Sequence, residues 1–177
     1  MVKKNQLTYK IDDFIVYPTH GTGKIVKIEN EVFDGKKIDF YVINFEQDRL
    51  LLRVPKEKAE ELGLRRTSSK DRIKEAINAL KTPRRSSTLM WSRRAEEYQL
   101  KINSGDPVQL AEVLRDLYKG EKEQEQSYSE RQIYKSAMER LAREYAAIEK
   151  TDEDSATKKL EKALGHYVIT QLIDPFL

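Results

Sequence analysis

The stretch Lys37-Ile-Asp-Phe-Tyr-Val-Ile-Asn-Phe45 sets the structural class of the first third of this chain. It is rich in β-branched and aromatic residues, which favour strands over helices. Similar short runs lie at Phe14-Ile-Val-Tyr-Pro18, Gly23-Lys-Ile-Val-Lys-Ile28 and Arg49-Leu-Leu-Leu-Arg-Val54. Because each run is too short to form a stable strand alone, we expect the strands to close into a small barrel that covers its own edges.

Turn residues separate these runs. Asp34-Gly35 provides the positive φ that a tight hairpin requires, and it lies between two predicted strands. Pro18 and Gly21-Thr-Gly23 indicate an earlier turn or bend.

After Pro55 the hydrophobic pattern changes to that of helices. A short helix is expected from Lys56 to Leu62, where Gly63 ends it, and a longer one from Ser69 to Leu80. In the longer helix the apolar residues Ile73, Ile77 and Leu80 are spaced to form one buried face. Pro83 then interrupts the helical pattern.

Capping residues mark the later helices. A helix is expected from near Leu89 to about Asn103, followed by one that Asp106-Pro107 begins as N-cap and first helical residue. Ser127-Tyr-Ser-Glu130 has the form of a capping box, and Ser155 to Leu164 predicts the last helix. The tail Tyr167–Leu177 is apolar and is expected to dock on the helices or on a second copy of the chain.

These patterns predict an α+β protein, with a small β-barrel domain at residues 1–66 and a compact all-α domain at residues 67–177. The chain has 177 residues, of which 36% are charged and 38% hydrophobic, values typical of a globular, helix-rich protein. There is no run of eighteen apolar residues, and no secretory signal follows Met1. The chain also lacks cysteine, which fits a reducing compartment, and we expect a cytoplasmic protein.

The sequence contains no recognisable arrangement of catalytic residues. His20 and His166 are the only histidines, and neither has a partner at the spacing of a metal site or a catalytic triad. Gly21-Thr-Gly23-Lys24 lacks the complete phosphate-loop pattern and does not lead into a helix. We therefore expect no enzymatic activity, no metal and no cofactor.

The segment from Pro83 to Arg94, Pro-Arg-Arg-Ser-Ser-Thr-Leu-Met-Trp-Ser-Arg-Arg, surrounds the only tryptophan, Trp91, with two arginine pairs. Arginines hold phosphates, and an aromatic side chain between them can insert at a base step or stack on an unpaired base. Alternatively, a lone tryptophan is a core anchor and the arginines form a solvated face. Residues 81–101 carry six basic side chains and two acidic ones, whereas residues 127–177 carry eight and nine. This local excess of positive charge favours a nucleic-acid contact.

Several motifs, taken together and in order, resemble the CarD/CdnL family of bacterial transcription regulators. They are Asp13-Phe-Ile-Val-Tyr-Pro-Thr-His-Gly-Thr-Gly23, Leu52-Arg-Val-Pro55, Trp91-Ser-Arg-Arg94, and Ser104-Gly-Asp106 with Ala111-Glu-Val-Leu-Arg-Asp-Leu117. The similarity extends from about residue 11 to residue 164. The barrel motif alone is similar to a module of transcription-repair coupling factors, whereas the ordered set is specific.

The resemblance implies an adaptor with two contact surfaces. A Tudor-like barrel would bind the β subunit of bacterial RNA polymerase, and the helical domain would contact promoter DNA at the upstream edge of the transcription bubble. Trp91 matches the family's minor-groove wedge, which stabilises the open complex, and Arg93 and Arg94 follow it as in the family motif. Arg53 matches a basic position of the polymerase-binding surface, within the motif that also contains Val54 and Pro55.

Two positions depart from the family pattern. Some relatives carry arginine at the position of Glu31, on the polymerase-binding surface, and a DNA-facing lysine at the position of Glu96. Either Arg84, Arg85 or Arg131 supplies the missing positive charge, or the DNA contact is weaker. The sequence does not identify the responsive promoters, the sign of regulation or the oligomeric state.

The sequence leaves three hypotheses. The first is a polymerase-bound transcription factor, with DNA affinity that is weak and not sequence-specific, and with no membrane or small-molecule partner. The second is a structural or interaction protein in which Trp91 is buried in a helical core. The third is a DNA-binding protein that recognises its sequence without polymerase.

Overall fold

The computed structural model describes residues 8–46, 48–84, 87–119 and 126–173, with side chains except those of Phe33 and residues 166–173. The chain divides into two compact units between Thr67 and Ser68. The first unit contains the strands and the second contains the helices. This arrangement confirms the predicted α+β class.

Five antiparallel strands form the sheet of the first unit. They are β1 (Phe14–Tyr17), β2 (Gly21–Phe33), β3 (Lys36–Phe45), β4 (Leu50–Pro55) and β5 (Arg65–Arg66). Their order is β4-β3-β2-β1-β5, so β4 and β5 are the outer strands. Each of the first three strands pairs with the strand that follows it in the chain, and β5 pairs with β1.

The hairpin between β2 and β3 is the one that the sequence predicts. Asp34 and Gly35 have φ values of 49° and 72°, and Phe33 pairs with Lys36 across the turn. Two consecutive positive φ values match the right-handed twist of the flanking strands. The Asp-Gly turn therefore fixes the register of the longest ladder in the sheet.

The prediction of a turn at Gly21-Thr-Gly23 is wrong, because β2 already begins at Gly21. The turn lies at Pro18 to His20, directly before β2, so the prediction for Pro18 is confirmed; the His20 N–H donates there to the Tyr17 carbonyl at 3.2 Å. Gly23 has a different role: a Cβ there would lie 2.7 Å from the Phe45 ring. The glycine allows the aromatic ring to pack directly against the strand.

The region after β4 also differs from the prediction. Instead of a helix to Leu62, a single 3₁₀ turn spans Lys56–Lys58, and further turns lead to Gly63, whose φ is 80°. The chain then forms β5, which pairs with β1 and was not predicted. Two residues are too few to show a strand periodicity in a sequence.

The sheet has a core of its own, in which buried Tyr9 is hydrogen-bonded to two other segments of the unit. The Tyr9 hydroxyl donates to the Leu64 carbonyl at 3.0 Å, and the Tyr9 N–H donates to the Tyr41 hydroxyl at 3.1 Å. Burial raises the pKa of Tyr9, although nearby Arg66 opposes the shift. The buried side chains of this core are Tyr9, Ile15, Ile25, Tyr41, Ile43, Phe45, Val54, Ala59 and Leu64.

Five helices form the second unit: α1 (Lys70–Leu80), α2 (Trp91–Ser104), α3 (Pro107–Leu117), α4 (Tyr128–Glu149) and α5 (Glu153–Ile173). The predicted N-cap is confirmed at α3, where Asp106 accepts from the Gln109 N–H; at α1, Ser69 is the N-cap and accepts from the Arg72 N–H, so the helix begins one residue later than predicted. Ser127 and Glu130 form a complete capping box at α4. These caps satisfy backbone N–H groups that have no partner within the helix.

Two of the later helices, α2 and α5, differ from the prediction in their bounds. α2 begins at Trp91, two residues later than expected, and α5 extends from Glu153 to Ile173 instead of ending at Leu164. The extension includes the first part of the segment that was expected to be an apolar tail. Its docking lies outside the described residues, because no side chain after Gly165 is described.

The helices share one hydrophobic core. It includes the predicted apolar faces of α1, α3 and α4, with Ile73, Leu80, Leu110, Leu114, Leu141 and Leu160 among its members. Glu144 on α4 is a buried acidic side chain, and its carboxylate accepts the Ser68 N–H at 2.8 Å. Among the described helices, none has the length and apolarity needed to cross a membrane.

Candidate interfaces for nucleic acid and protein

Trp91 lies at the first position of α2, where the chain enters the helix. Its side chain is half-buried and packs against the helical core, with its ring centroid 6.4 Å from that of Tyr98. Tyr98 is only 5% exposed, so it provides a fixed surface behind the indole. Trp91 is thus partly a packing residue and partly open to solvent.

The two arginines that follow Trp91 have different environments. The Arg94 guanidinium lies over the Trp91 ring, 5.3 Å from its centroid, and the Arg94 Nε is buried without a hydrogen-bond partner among the described residues. Arg93 is exposed. This geometry suits Arg94 to holding the indole by a cation–π contact and Arg93 to meeting a phosphate.

Leu89 and Met90 immediately precede Trp91 and were not among the predicted site residues. They are 52% and 77% exposed. The sequence contained a signal for them, because two apolar side chains lie in an otherwise polar, basic connector just before a helix begins. Arg84 is exposed in the same connector, whereas Arg85 lies outside the described residues.

Glu96 is exposed on α2, one turn after Arg93. Residues three positions apart lie on the same face of a helix. The acidic group therefore lies on the Arg93 face, where it lowers the local positive potential.

Arg131 is exposed in the first turn of α4, and its N–H donates to the Ser127 carbonyl at 3.0 Å. Tyr128, three residues earlier, is 71% exposed. No hydrogen bond, ion pair or ring contact among the described side chains joins Arg131 to Trp91. The structure thus does not link Arg131 directly to the α2 residues.

Ion pairs fix the far end of α2. The Lys101 ammonium lies 3.0 Å from the Glu112 carboxylate on α3 and 3.3 Å from Glu97. Burial alone would lower the pKa of Lys101, but these carboxylates raise the pKa overall. Arg140 on α4 donates to the Ile102 carbonyl at 3.1 Å. The helix that carries Trp91 is therefore attached to both neighbouring helices.

The connector that leads to Trp91 is attached at its beginning. Arg115 on α3 is 8% exposed and donates from Nη1 to the Thr82 hydroxyl at 2.9 Å. The same hydroxyl donates to the Ala79 carbonyl at 2.7 Å. An Arg115–Asp116 ion pair of 2.8 Å compensates the buried charge. Arg115 thus fixes the start of the connector against α3.

In the first unit, Arg53 of β4 is held by two carboxylates of β2. Its Nη2 lies 2.5 Å from Glu31 Oε1, and its Nε lies 3.2 Å from Glu29 Oε2. The hydrogen bond with Glu31 is the main reason that the pKa of Arg53 is raised. The guanidinium also lies over the Phe40 ring, 4.8 Å from its centroid. Arg53 is exposed, but its charge is compensated within the sheet.

Side chains along β4 alternate between the buried and the outward face of the sheet, so the other candidate residues do not all lie on the same face. Val54 is 2% exposed and belongs to the core, so its side chain cannot meet a partner, whereas Pro55 is half-buried. Leu51 is 62% exposed and shares the outward face with Arg53, two residues away. Leu51 is not among the predicted site residues, although strict alternation from Arg53 would have identified it.

Comparison with known protein families matches both units. Residues 9–68 match the model described as CarD-like/TRCF RID domain, and residues 75–161 match the CarD, C-terminal domain. The RID domain is Tudor-like, in agreement with the predicted class of the first unit.

A curated protein of Bacillus subtilis (strain 168), named "Putative transcription factor YdeB", is similar over almost the whole chain. It is 30% identical over 157 residues, which are 89% of this chain and 99% of that protein. Both family models follow one another here in the same order as the two compact units. The chain therefore belongs to the CarD family.

Proposed function

We propose that this chain is a transcription regulator that binds the β subunit of bacterial RNA polymerase and stabilises the promoter open complex. Its sheet domain would contact the polymerase, and Trp91 with nearby arginines would meet the DNA at the upstream edge of the bubble. The observation that carries the proposal is the half-exposed indole at the start of α2, backed by Tyr98 and held by Arg94. The family membership and the name of the relative support the same function.

A wedge of this kind acts by differential binding. It favours the state in which a base step is already unstacked, and so it shifts the equilibrium from closed to open complex without chemistry. A ring that is already fixed by Tyr98 and Arg94 loses little conformational freedom when it binds. A differential interaction of roughly 1.4 kcal/mol changes the equilibrium constant between closed and open complex about tenfold.

The DNA contact is proposed to be weak and independent of sequence. Arg93 is exposed, but Glu96 lies on the same face one turn away, and the net charge of the chain is only +3. Binding to polymerase would raise the effective concentration of this surface at the bubble. The helical domain thus requires no sequence-specific readout, because polymerase determines where it acts.

On the sheet domain, the outward face of β4 is the proposed polymerase contact. It presents Leu51 and Arg53, and the half-buried Pro55 follows on the same face. An apolar side chain next to a charged one on an outer strand is a suitable surface for another protein. Glu31 belongs to this surface because it pairs with Arg53.

We further propose that the protein acts in the cytoplasm and is not an enzyme, since its family role requires only binding. Within the described residues, no group of three or more histidine, aspartate or glutamate side chains could hold a metal ion. The proposed functional domains are residues 1–66 and 67–177, and their boundary lies one residue before the structural division after Thr67.

The alternative function is that of a structural protein in which Trp91 only completes the helical core. Its contact with that core is the observation that favours this alternative. Trp91 fluorescence separates the two hypotheses, because an indole that meets DNA is quenched by fork-junction DNA in the presence of polymerase. A purely structural tryptophan keeps its emission when the same DNA is added.

The proposal is tested by measuring the lifetime of the open complexes that the cognate polymerase forms on a ribosomal RNA promoter. Wild type is expected to lengthen the lifetime, and both Trp91→Ala and Arg53→Glu are expected to lose this effect while remaining folded. Circular dichroism at the assay temperature is the control for folding. No effect of the wild type, or loss of activity only through unfolding of Trp91→Ala, would contradict the proposal.

A further inference from the structure

We propose that Met90 and Leu89 extend the Trp91 wedge, so that their exposed apolar side chains contact the bases next to the one that the indole meets. This inference rests on the proposed function and names additional residues that contact DNA. It assigns the most exposed part of the wedge to the residue before the tryptophan.

The exposure of the three side chains leads to this assignment. Met90 is 77% exposed and Leu89 52%, whereas Trp91 is half-buried and rests on Tyr98 and the helical core. Part of the indole surface is therefore occupied by those contacts, and only the remainder is open to DNA. Met90 has no such restraint, and its side chain is the one most open to a partner.

The backbone at this point is fixed although the side chains are exposed. The Met90 carbonyl accepts the N–H groups of Arg93 and Arg94, at 3.1 and 3.2 Å. The Leu89 N–H donates to the Ser87 hydroxyl at 3.2 Å. An exposed apolar pair on a fixed backbone is preorganised for binding, because only side-chain freedom is lost.

The positive charges around Met90 and Leu89 are complementary to the phosphates of DNA. Arg93 is exposed in the next turn, and Arg84 is exposed in the connector. No side chain among the described residues caps the start of α2, where Met90 is the N-cap residue. The first N–H groups of the helix add partial positive charge beside the apolar pair, which favours a phosphate next to the inserted side chain.

The chemistry of methionine and leucine suits insertion between bases. Apolar side chains of this kind wedge into base steps and partly unstack them in several minor-groove proteins. The methionine thioether is flexible and polarisable, so it adapts to the faces of different bases without reading their edges. A wedge made of these side chains would therefore be independent of sequence, as the proposed function requires.

The test uses full-length protein with cognate polymerase and a promoter that carries 2-aminopurine at the upstream fork. Met90→Ala and the double variant with Leu89→Ala are expected to shorten the open-complex lifetime by roughly threefold or more, and to reduce the 2-aminopurine signal of the unstacked base. Met90→Leu keeps an apolar side chain of similar size and is expected to retain the wild-type lifetime.

Leu100→Ala is the matched control. Leu100 is 67% exposed on the same helix, and ten residues of helix place it about 15 Å from Met90 along the axis. This variant removes a similarly exposed apolar side chain away from the proposed wedge. It is expected to leave the lifetime unchanged.

The outcomes separate the inference from the proposed function. If wild type does not lengthen the lifetime, the proposed function fails and the inference falls with it. If wild type acts and Trp91→Ala abolishes the effect, but the double variant retains the full lifetime, only the inference is overturned. Equal losses in Met90→Ala and Leu100→Ala, or in Met90→Ala and Met90→Leu, would also overturn it.

Discussion

Arg53 and Glu31 lie on different strands of the sheet, and their side chains form an ion pair in which Nη2 and Oε1 are 2.5 Å apart. Glu29 adds a second carboxylate at 3.2 Å from the same guanidinium. A sequence comparison treats Arg53 and Glu31 as separate positions, one retained and one reversed in charge. The pair shows instead that the two side chains interact, so any partner that binds Arg53 would have to compete with Glu31.

Replacing Glu31 by Gln is therefore expected to strengthen binding to the polymerase β subunit by roughly twofold to fivefold, since an exposed ion pair contributes little and is easily replaced. The measurement is the dissociation constant at several salt concentrations. Glu61→Gln, which removes an exposed carboxylate elsewhere in the same unit, is the control. Weaker binding of Glu31→Gln would show that Glu31 itself contacts the polymerase.

The two arginines after Trp91 are expected to respond differently to substitution. Arg93→Gln should reduce the slope of log affinity against log salt for fork-junction DNA by about 0.9, the value for one phosphate contact. Arg94→Gln should chiefly change Trp91 fluorescence, because its guanidinium lies 5.3 Å from the indole centroid. If the two variants changed the salt slope equally, the separate roles assigned to them would be incorrect.

Trp91 is expected to contribute to stability as well as to function. Trp91→Ala should lower the free energy of unfolding by roughly 1–3 kcal/mol, less than for a fully buried tryptophan, because only part of the ring is packed. Trp91→Phe keeps an aromatic ring against Tyr98 and should lose less. Urea denaturation measures both effects, and an unchanged unfolding midpoint in Trp91→Ala would show that its contact with the core is unimportant.

Thr82 is expected to stabilise the fold through its hydrogen bond with Arg115. Thr82→Val removes the hydroxyl that accepts from Arg115 at 2.9 Å and should cost roughly 0.5–1.5 kcal/mol of stability. Thr88→Val, the same change at an exposed site in the same connector, should have little effect. Thermal unfolding compares the two variants, and equal losses would argue against a specific role of the Arg115 contact.

The capping box of α4 predicts a particular dependence on pH. Burial alone would raise the pKa of Glu130, but hydrogen bonds from Ser127 and the Lys119 ammonium at 3.2 Å lower the pKa below its ordinary value of 4.5. The stabilisation is thus fully present above pH 4.5 and is lost as the pH falls through the lower pKa of the folded state.

Glu130→Gln should consequently be less stable than wild type near neutral pH, and this difference should shrink as the pH falls below 4.5. Urea midpoints between about pH 3 and 7 measure the effect, with Glu96→Gln as the control at an exposed carboxylate. A difference between Glu130→Gln and wild type that stays constant across this range would contradict the proposed ionic contribution.

The parts of the fold that were predicted correctly depend on local chemistry. Asp34-Gly35 formed the expected hairpin because only residues that tolerate positive φ can make that turn. Asp106 and Ser127 began their helices because their side chains accept backbone N–H groups nearby in the chain. In contrast, β5 exists only because β1 lies beside it, and two residues carry no pattern of their own.

In the candidate site, too, some features follow from local sequence and others only from tertiary contacts. By itself, the sequence determined the α+β class, the family motifs, the position of Trp91 between arginines and the excess of positive charge around it. These features follow from residue types and from spacings of a few residues, which act locally. The tertiary structure alone decided that Arg94 covers the indole, that Arg93 remains exposed, and that Glu31 pairs with Arg53. Such differences arise from burial and from contacts between distant segments, and identical residue types in one motif therefore acquire different roles only when the chain has folded.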